Sequence, residues 1–143
     1  MTKEQYLAQL DEKQLFQLMK EYLPQLIDLN ENDQYSATDW YLPTENSHWE
    51  CKCRKEHYNG LVIEKKKYNA IINLDKIYYI NSTPKGIYVF DLKKIEEPSW
   101  FDKYMNKTTE FGEQIKIQKD SGLIHISKAT FQLDHLILPK IYL

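Results

Sequence analysis

Apolar residues recur three and four positions apart early in the chain and alternate with polar ones further on, which predicts helices followed by strands. Residues 3–10 form a short polar–apolar helical segment. Asp11 with Gln14 has the form of a capping box opening a second helix, in which Leu15, Phe16, Met19, Tyr22, Leu23, Leu26 and Ile27 keep helical spacing. Pro24 is expected to kink that helix or to start a fresh turn. Asn30-Glu31-Asn32-Asp33 then ends the helical region with turn-forming residues.

From Gln34 the texture changes. Tyr35 to Leu42 is rich in aromatic and β-branched residues and predicts a strand, and Pro43 to Ser47 supplies a turn. His48 to Arg54 is a second strand whose alternation sorts it into two faces: His48, Glu50, Lys52 and Arg54 on one, Trp49, Cys51 and Cys53 on the other. Residues 59–74 read as a helix with Leu61, Tyr68, Ile71 and Ile72 inward and Lys65-Lys66-Lys67 mostly outward. Ile77 to Ile80 and Ile87 to Asp91 are two strands joined by a hairpin turn across Ser82-Thr83-Pro84-Lys85-Gly86. Residues 93–113 look irregular, and Gln114–Gln118 is expected to pair with Leu123–Ser127 around Asp120-Ser121-Gly122. The expected fold is a single α/β domain with a mixed α+β sheet: helices in 1–30, a core over 34–92 and a β-rich extension over 93–143.

Composition narrows the function classes. With 143 residues, 42% hydrophobic and 28% charged, the chain is long enough for a real core and ordinary for a soluble protein. No apolar run reaches transmembrane length and Met-Thr-Lys-Glu-Gln opens no signal peptide, so a cytoplasmic protein with no membrane partner is expected. Cys51 and Cys53 stand too close for an ordinary stapling bridge and are expected reduced. A net charge of −2 argues against a protein that coats DNA generically, but not against a carboxylate site served by a local basic patch.

The polar face of the second strand carries the chemistry. Hydrolysing a phosphodiester needs an activated water, neutralised charge on the phosphate and help for the leaving oxygen. Hard oxygen ligands around Mg²⁺ serve all three, and a nearby ammonium adds to them. Asp39, on the first strand, and Glu50, on the next, can supply the carboxylates, with the Cys51 backbone carbonyl as a third ligand. Lys52 would orient the water or steady the developing charge. Acid-x-Lys triplets occur four times, at Asp11–Lys13, Glu50–Lys52, Glu64–Lys66 and Asp91–Lys93. Only Glu50–Lys52 combines a two-faced strand, a strand-borne aspartate upstream and a helix after it.

Thr38-Asp39, His48 through Arg54, and the lysine-rich stretch from Tyr58 through Ile63, Glu64 and Lys65-Lys66-Lys67 to Tyr68 together resemble the PD-(D/E)xK nuclease superfamily. Restriction endonucleases, Holliday-junction resolvases and repair nucleases share that core. The likeness covers roughly residues 34–92, with Thr38 standing where the motif has proline. It implies a restriction-endonuclease-like α-β-β-α-β-β core, with N-terminal helices and a C-terminal β-hairpin added to it here. It also implies Mg²⁺ or Mn²⁺ dependence and endonucleolytic cleavage of DNA, branched DNA included, leaving a 5′-phosphate. Asp39, Glu50 and Lys52 would be catalytic. Asp39, Glu50 and the Cys51 carbonyl would hold the metal, and Arg54, Lys65, Lys66 and Lys67 would lie along the DNA. The upstream helix often contributes a glutamate in this group, and Glu12 and Glu21 are both candidates. Junction-resolving members work as dimers, which allows a homodimer. The alternative is an inactive nuclease-like fold that binds DNA or a protein.

Two other groupings have plainer explanations. His48, Cys51, Cys53 and His57 have zinc-ligand chemistry, but alternation sends the thiols to the Trp49 face and His48 to the other, and the spacing is not that of a zinc knuckle. The eleven tyrosines are expected in core and edge packing, although stacking on unpaired bases is open to them.

Overall fold

A computed structural model describes residues 1–31, 36–108 and 114–143. Two capping boxes open the N-terminal helices: Thr2 caps α1 (Lys3–Gln9) through Gln5, and Asp11 caps α2 (Glu12–Tyr22) through Gln14. The second helix stops at Tyr22, just before Pro24, and Ile27–Asp28 is a short strand, β1, rather than more helix. Strands β2 (Trp40–Leu42) and β3 (Ser47–Cys53) follow as an antiparallel hairpin. Its turn includes Asn46 at φ 50°, a left-handed position that asparagine tolerates.

The expected helix over 59–74 divides in two. Gly60–Glu64 is a strand, β4, and only Lys65–Ile71 is helical, α3. Leu61 and Ile63 are buried and Val62 between them is not, which is the two-residue period of a strand. Strands β5 (Ile77–Thr83) and β6 (Gly86–Asp91) form the hairpin read from the Pro-Lys-Gly turn. The rest of the chain supplies β7 (Phe101–Thr108), β8 (Gln114–His125), β9 (Phe131–Gln132) and α4 (Asp134–Ile137).

The C-terminal hairpin differs from the expected one. Strand β8 runs unbroken through Asp120-Ser121-Gly122 and pairs with β7 on one side and β4 on the other. Gly122 serves a close approach rather than a turn: a Cβ there would sit 2.6 Å from the Pro98 side chain. The expected turn residues Asn32 and Asp33, the start of the strand at Tyr35, and residues 109–113 lie outside the described residues.

The main sheet has the order β1-β2-β3-β5-β6-β9, antiparallel throughout except for the parallel pair β3–β5. Strand β4 and helix α3 make the crossover that a parallel pair requires. One face of the sheet packs Trp40, Trp49, Cys51, Tyr78, Ile80 and Val89 against Leu7, Leu15, Met19 and Ile137 of the helices. The other packs Ile77, Tyr79 and Phe90 under Leu61, Ile63, Tyr68, Ile71 and Ile124. The protein is therefore a mixed α+β fold in three layers, with β3 central to it. No helix among the described residues is long and apolar enough to cross a membrane.

Candidate functional site

The β2–β3 hairpin brings Asp39 and Glu50 together. Its register sets Trp40 opposite Trp49, so the next residues outward, Asp39 and Glu50, are neighbours. Asp39 lies just ahead of β2, not mid-strand as its aromatic surroundings suggested. Its backbone is nevertheless pinned on both sides, with its N–H donating to the Trp49 carbonyl (3.0 Å) and its carbonyl accepting from Leu29 N–H (2.9 Å). Its side chain takes over where the strand ladder stops. Oδ2 accepts from the Cys51 N–H at 2.8 Å and Oδ1 from the Asn30 amide at 2.6 Å. An extended residue sends its N–H and carbonyl to the same strand edge, so the Cys51 carbonyl faces the Asp39 side. Thr38, which is buried, bonds His48 Nδ1 at 3.1 Å.

Glu50 is only 5% exposed, so its face of β3 is not the open polar surface that the alternation suggested. Strand β4 and helix α3 cover it. Its Oε2 has no hydrogen-bond partner among the described residues, although the Lys67 ammonium lies 3.4 Å away. Burial, the Asp39 charge and a hydrogen bond to Asp39 raise the Glu50 pKa to about 8, against the opposing pull of Lys67 and Lys52. Glu12, at the start of α2, belongs to the same cluster: desolvation and then the Asp39 charge push its pKa up, and Lys52 pulls it down. Of the two candidate helix glutamates, the geometry brings Glu12 to Asp39.

Asp39 and Glu50 each line a hollow of their own. One, of about 440 Å³, is lined by Glu12, Asp28, Glu31 and Asp39 with Lys13. The other, of about 230 Å³, is lined by Lys52, Arg54 and Lys67 with Glu50, Glu64 and Tyr79. Lys52 is exposed at the mouth of the second.

The expected DNA-facing cations separate. Arg54 is held inside the protein, donating from Nε to Asn81 Oδ1 (2.7 Å) and from Nη2 to the Val62 carbonyl (2.7 Å) and Tyr79 Oη (3.1 Å). Lys67 turns into the site and also donates to the Ala37 carbonyl at 3.2 Å, whereas the lysine run was expected to lie mostly outward. Lys65 and Lys66 line a different hollow with Asn69 and Asp120. Asn30 and Tyr79 are thus site residues that the sequence did not single out. Lys67 was read from the lysine run as a DNA contact, not as a partner of Glu50.

Of the thiols, Cys51 is buried under the helices and Cys53 packs against the same core. His57 bonds Thr83 and Asn59 instead. Among the described residues no three His, Cys, Asp or Glu side chains converge closely enough to form a metal cage by themselves. The set that does converge, two carboxylates and a strand-edge carbonyl, consists of oxygen donors that leave the rest of a coordination shell to water or phosphate. Comparison with family models, curated proteins and solved structures returned no match for this chain.

Proposed function

We propose that the chain is a metal-dependent nuclease acting on DNA, with a restriction-endonuclease-like core and a site made of Asp39, Glu50 and Lys52. Glu50 carries the reading. Burying a carboxylate beside a second carboxylate, with one oxygen lacking a hydrogen bond, costs folding free energy that no packing need explains. Such groups concentrate at functional sites.

The donors fit Mg²⁺ or Mn²⁺: Asp39, Glu50 and the Cys51 carbonyl are hard oxygens, and Glu50 Oε2 has the Lys67 ammonium 3.4 Å away but no hydrogen bond. When bound, the ion would supply Lewis-acid neutralisation of the scissile phosphate. The protein's own groups do the rest. Asn30 and the Cys51 N–H hold the Asp39 carboxylate in one orientation. Lys52, on the same face of β3 as Glu50, donates hydrogen bonds to the attacking water or to the phosphate oxygen that gains charge. Lys67 steadies Glu50.

One observation favours a non-catalytic relative that binds DNA or protein: the Lys67 ammonium already gives Glu50 a cation partner. Incubating plasmid and linearised DNA with Mg²⁺, Mn²⁺ or EDTA, beside Lys52→Ala, separates the two. Metal-dependent cleavage lost in the variant supports the nuclease. Intact DNA in every lane favours the binding role, and equal cleavage by both proteins removes Asp39, Glu50 and Lys52 from consideration.

A further inference from the structure

We propose that the basic hollow beside Glu50 is a pocket for a terminal phosphate, so that the site engages a nucleic-acid strand at its end. The strand's identity rests on the nuclease reading; the pocket rests on its own geometry.

Three cations from two elements converge there: Lys52 and Arg54 from β3 and the residue after it, and Lys67 from α3. Arg54 is the organising group. Its bonds to Asn81, Val62 and Tyr79 immobilise Nε and Nη2, and the part of the fork they leave over is Nη1. A guanidinium fixed in advance loses little freedom when it binds an anion, and its geometry suits phosphate oxygens. Lys52 adds an exposed point charge, and Lys67 adds one held between Glu50 and the Ala37 carbonyl.

The hollow is small. Tyr79 is 1% exposed and donates to the Val62 carbonyl at 2.9 Å, making a floor of buried protein. At about 230 Å³ it falls below the usual size of sites for drug-sized ligands, about 300–1,000 Å³. A hollow of that size holds an end group more readily than a length of strand. Lys65 and Lys66 line another hollow, which shares Glu64 with this one.

Charge points the same way. A terminal phosphate carries about −1.5 to −2 at neutral pH, whereas a diester linkage carries one negative charge. Three cations against the acids Glu50 and Glu64 suit the dianion better. Glu50 lies between this pocket and Asp39, so a terminal phosphate seated here brings the following diester towards the two carboxylates.

The test is fluorescence anisotropy in EDTA, which keeps hydrolysis out of the measurement. The probes are short labelled oligonucleotides with a 5′-phosphate, a 3′-phosphate or hydroxyls only. One phosphorylated end should bind about tenfold tighter than the hydroxyl form or better. Inorganic phosphate should compete, and Lys67→Met should remove the preference. Arg54→Gln should do the same if it folds; because that side chain ties Asn81, Val62 and Tyr79 together, Lys67→Met and the probe series decide the question without it. Equal binding of phosphorylated and hydroxyl ends overturns the pocket, whether or not DNA is cleaved when metal is added. End preference with no metal-dependent cleavage of any DNA keeps the pocket and overturns the nuclease. Mononucleotides that compete as well as oligonucleotides also keep the pocket, and make its ligand the free phosphomonoester.

Discussion

Trp49 and Glu50, neighbours on opposite faces of β3, are each 5% exposed but are buried by opposite means. On one, Trp49 packs at a tilt against Tyr78 with ring centroids 4.5 Å apart, donates from its indole to Ser47 Oγ at 3.0 Å, and joins Cys51 under the helices. Each polar atom on that side chain has its partner, and the apolar area is removed from water. On the other, Glu50 is equally hidden but brings a carboxylate against a carboxylate and leaves an oxygen without a hydrogen bond. The first face is arranged for stability; the second gives stability up at one residue. Such an uneven strand locates a functional site better than any acid-x-Lys triplet does.

Substitutions on each face should therefore fail differently. Trp49→Ala should have the largest effect, destabilising the protein by about 3–5 kcal/mol in urea unfolding, while the fraction still folded keeps its activity. A small loss would mean that the helix-covered face is not the core. Lys52→Ala should leave stability within about 0.5 kcal/mol and lower DNA cleavage at least about 100-fold. Unfolding of that variant would make Lys52 a structural residue and erase the contrast.

Glu50→Gln sharpens the comparison through pH. The folded protein keeps the Glu50 proton up to about pH 8, whereas the unfolded chain releases it near 4.5. Folding then takes up a proton between those values, so stability falls as pH rises through this window, by at most about 1.4 kcal/mol per unit, and levels off above it. Melting curves should show Glu50→Gln more stable than the native protein at pH 8 and little changed at pH 5. Added Mg²⁺ should narrow that gap by stabilising the native protein alone. The smallest effect is expected for Lys66→Ala, which leaves the end preference unchanged and lowers the salt slope of DNA binding by about one or less.

Much of the hairpin was legible because strand period and turn chemistry act locally: β3, β5 and β6 fall close to where alternation and the Pro-Lys-Gly turn put them. Strand β4 was misread because Leu61, Tyr68 and Ile71 also fit a helical stripe, and only the sheet partner β8 favours the strand. Glycine at 122 read as a turn because its actual reason, the Pro98 side chain, is distant in sequence. For the site, the Asp39–Glu50 adjacency follows from hairpin register. The inward turn of Lys67 and the fixing of Arg54 by Asn81 and Tyr79 depend on tertiary contacts that no local pattern encodes.

The parallel pairing of β3 with β5 also has a kinetic consequence. The hairpin carrying Asp39 and Glu50 closes over a short stretch of chain, but Lys67 and Tyr79 reach it only after β4 and α3 have crossed the sheet. Long-range closure of that kind comes late in folding. A cation or phosphate held by these groups grips contacts formed on the native side of the barrier. It should therefore lengthen the lifetime of the folded protein far more than it hastens its formation.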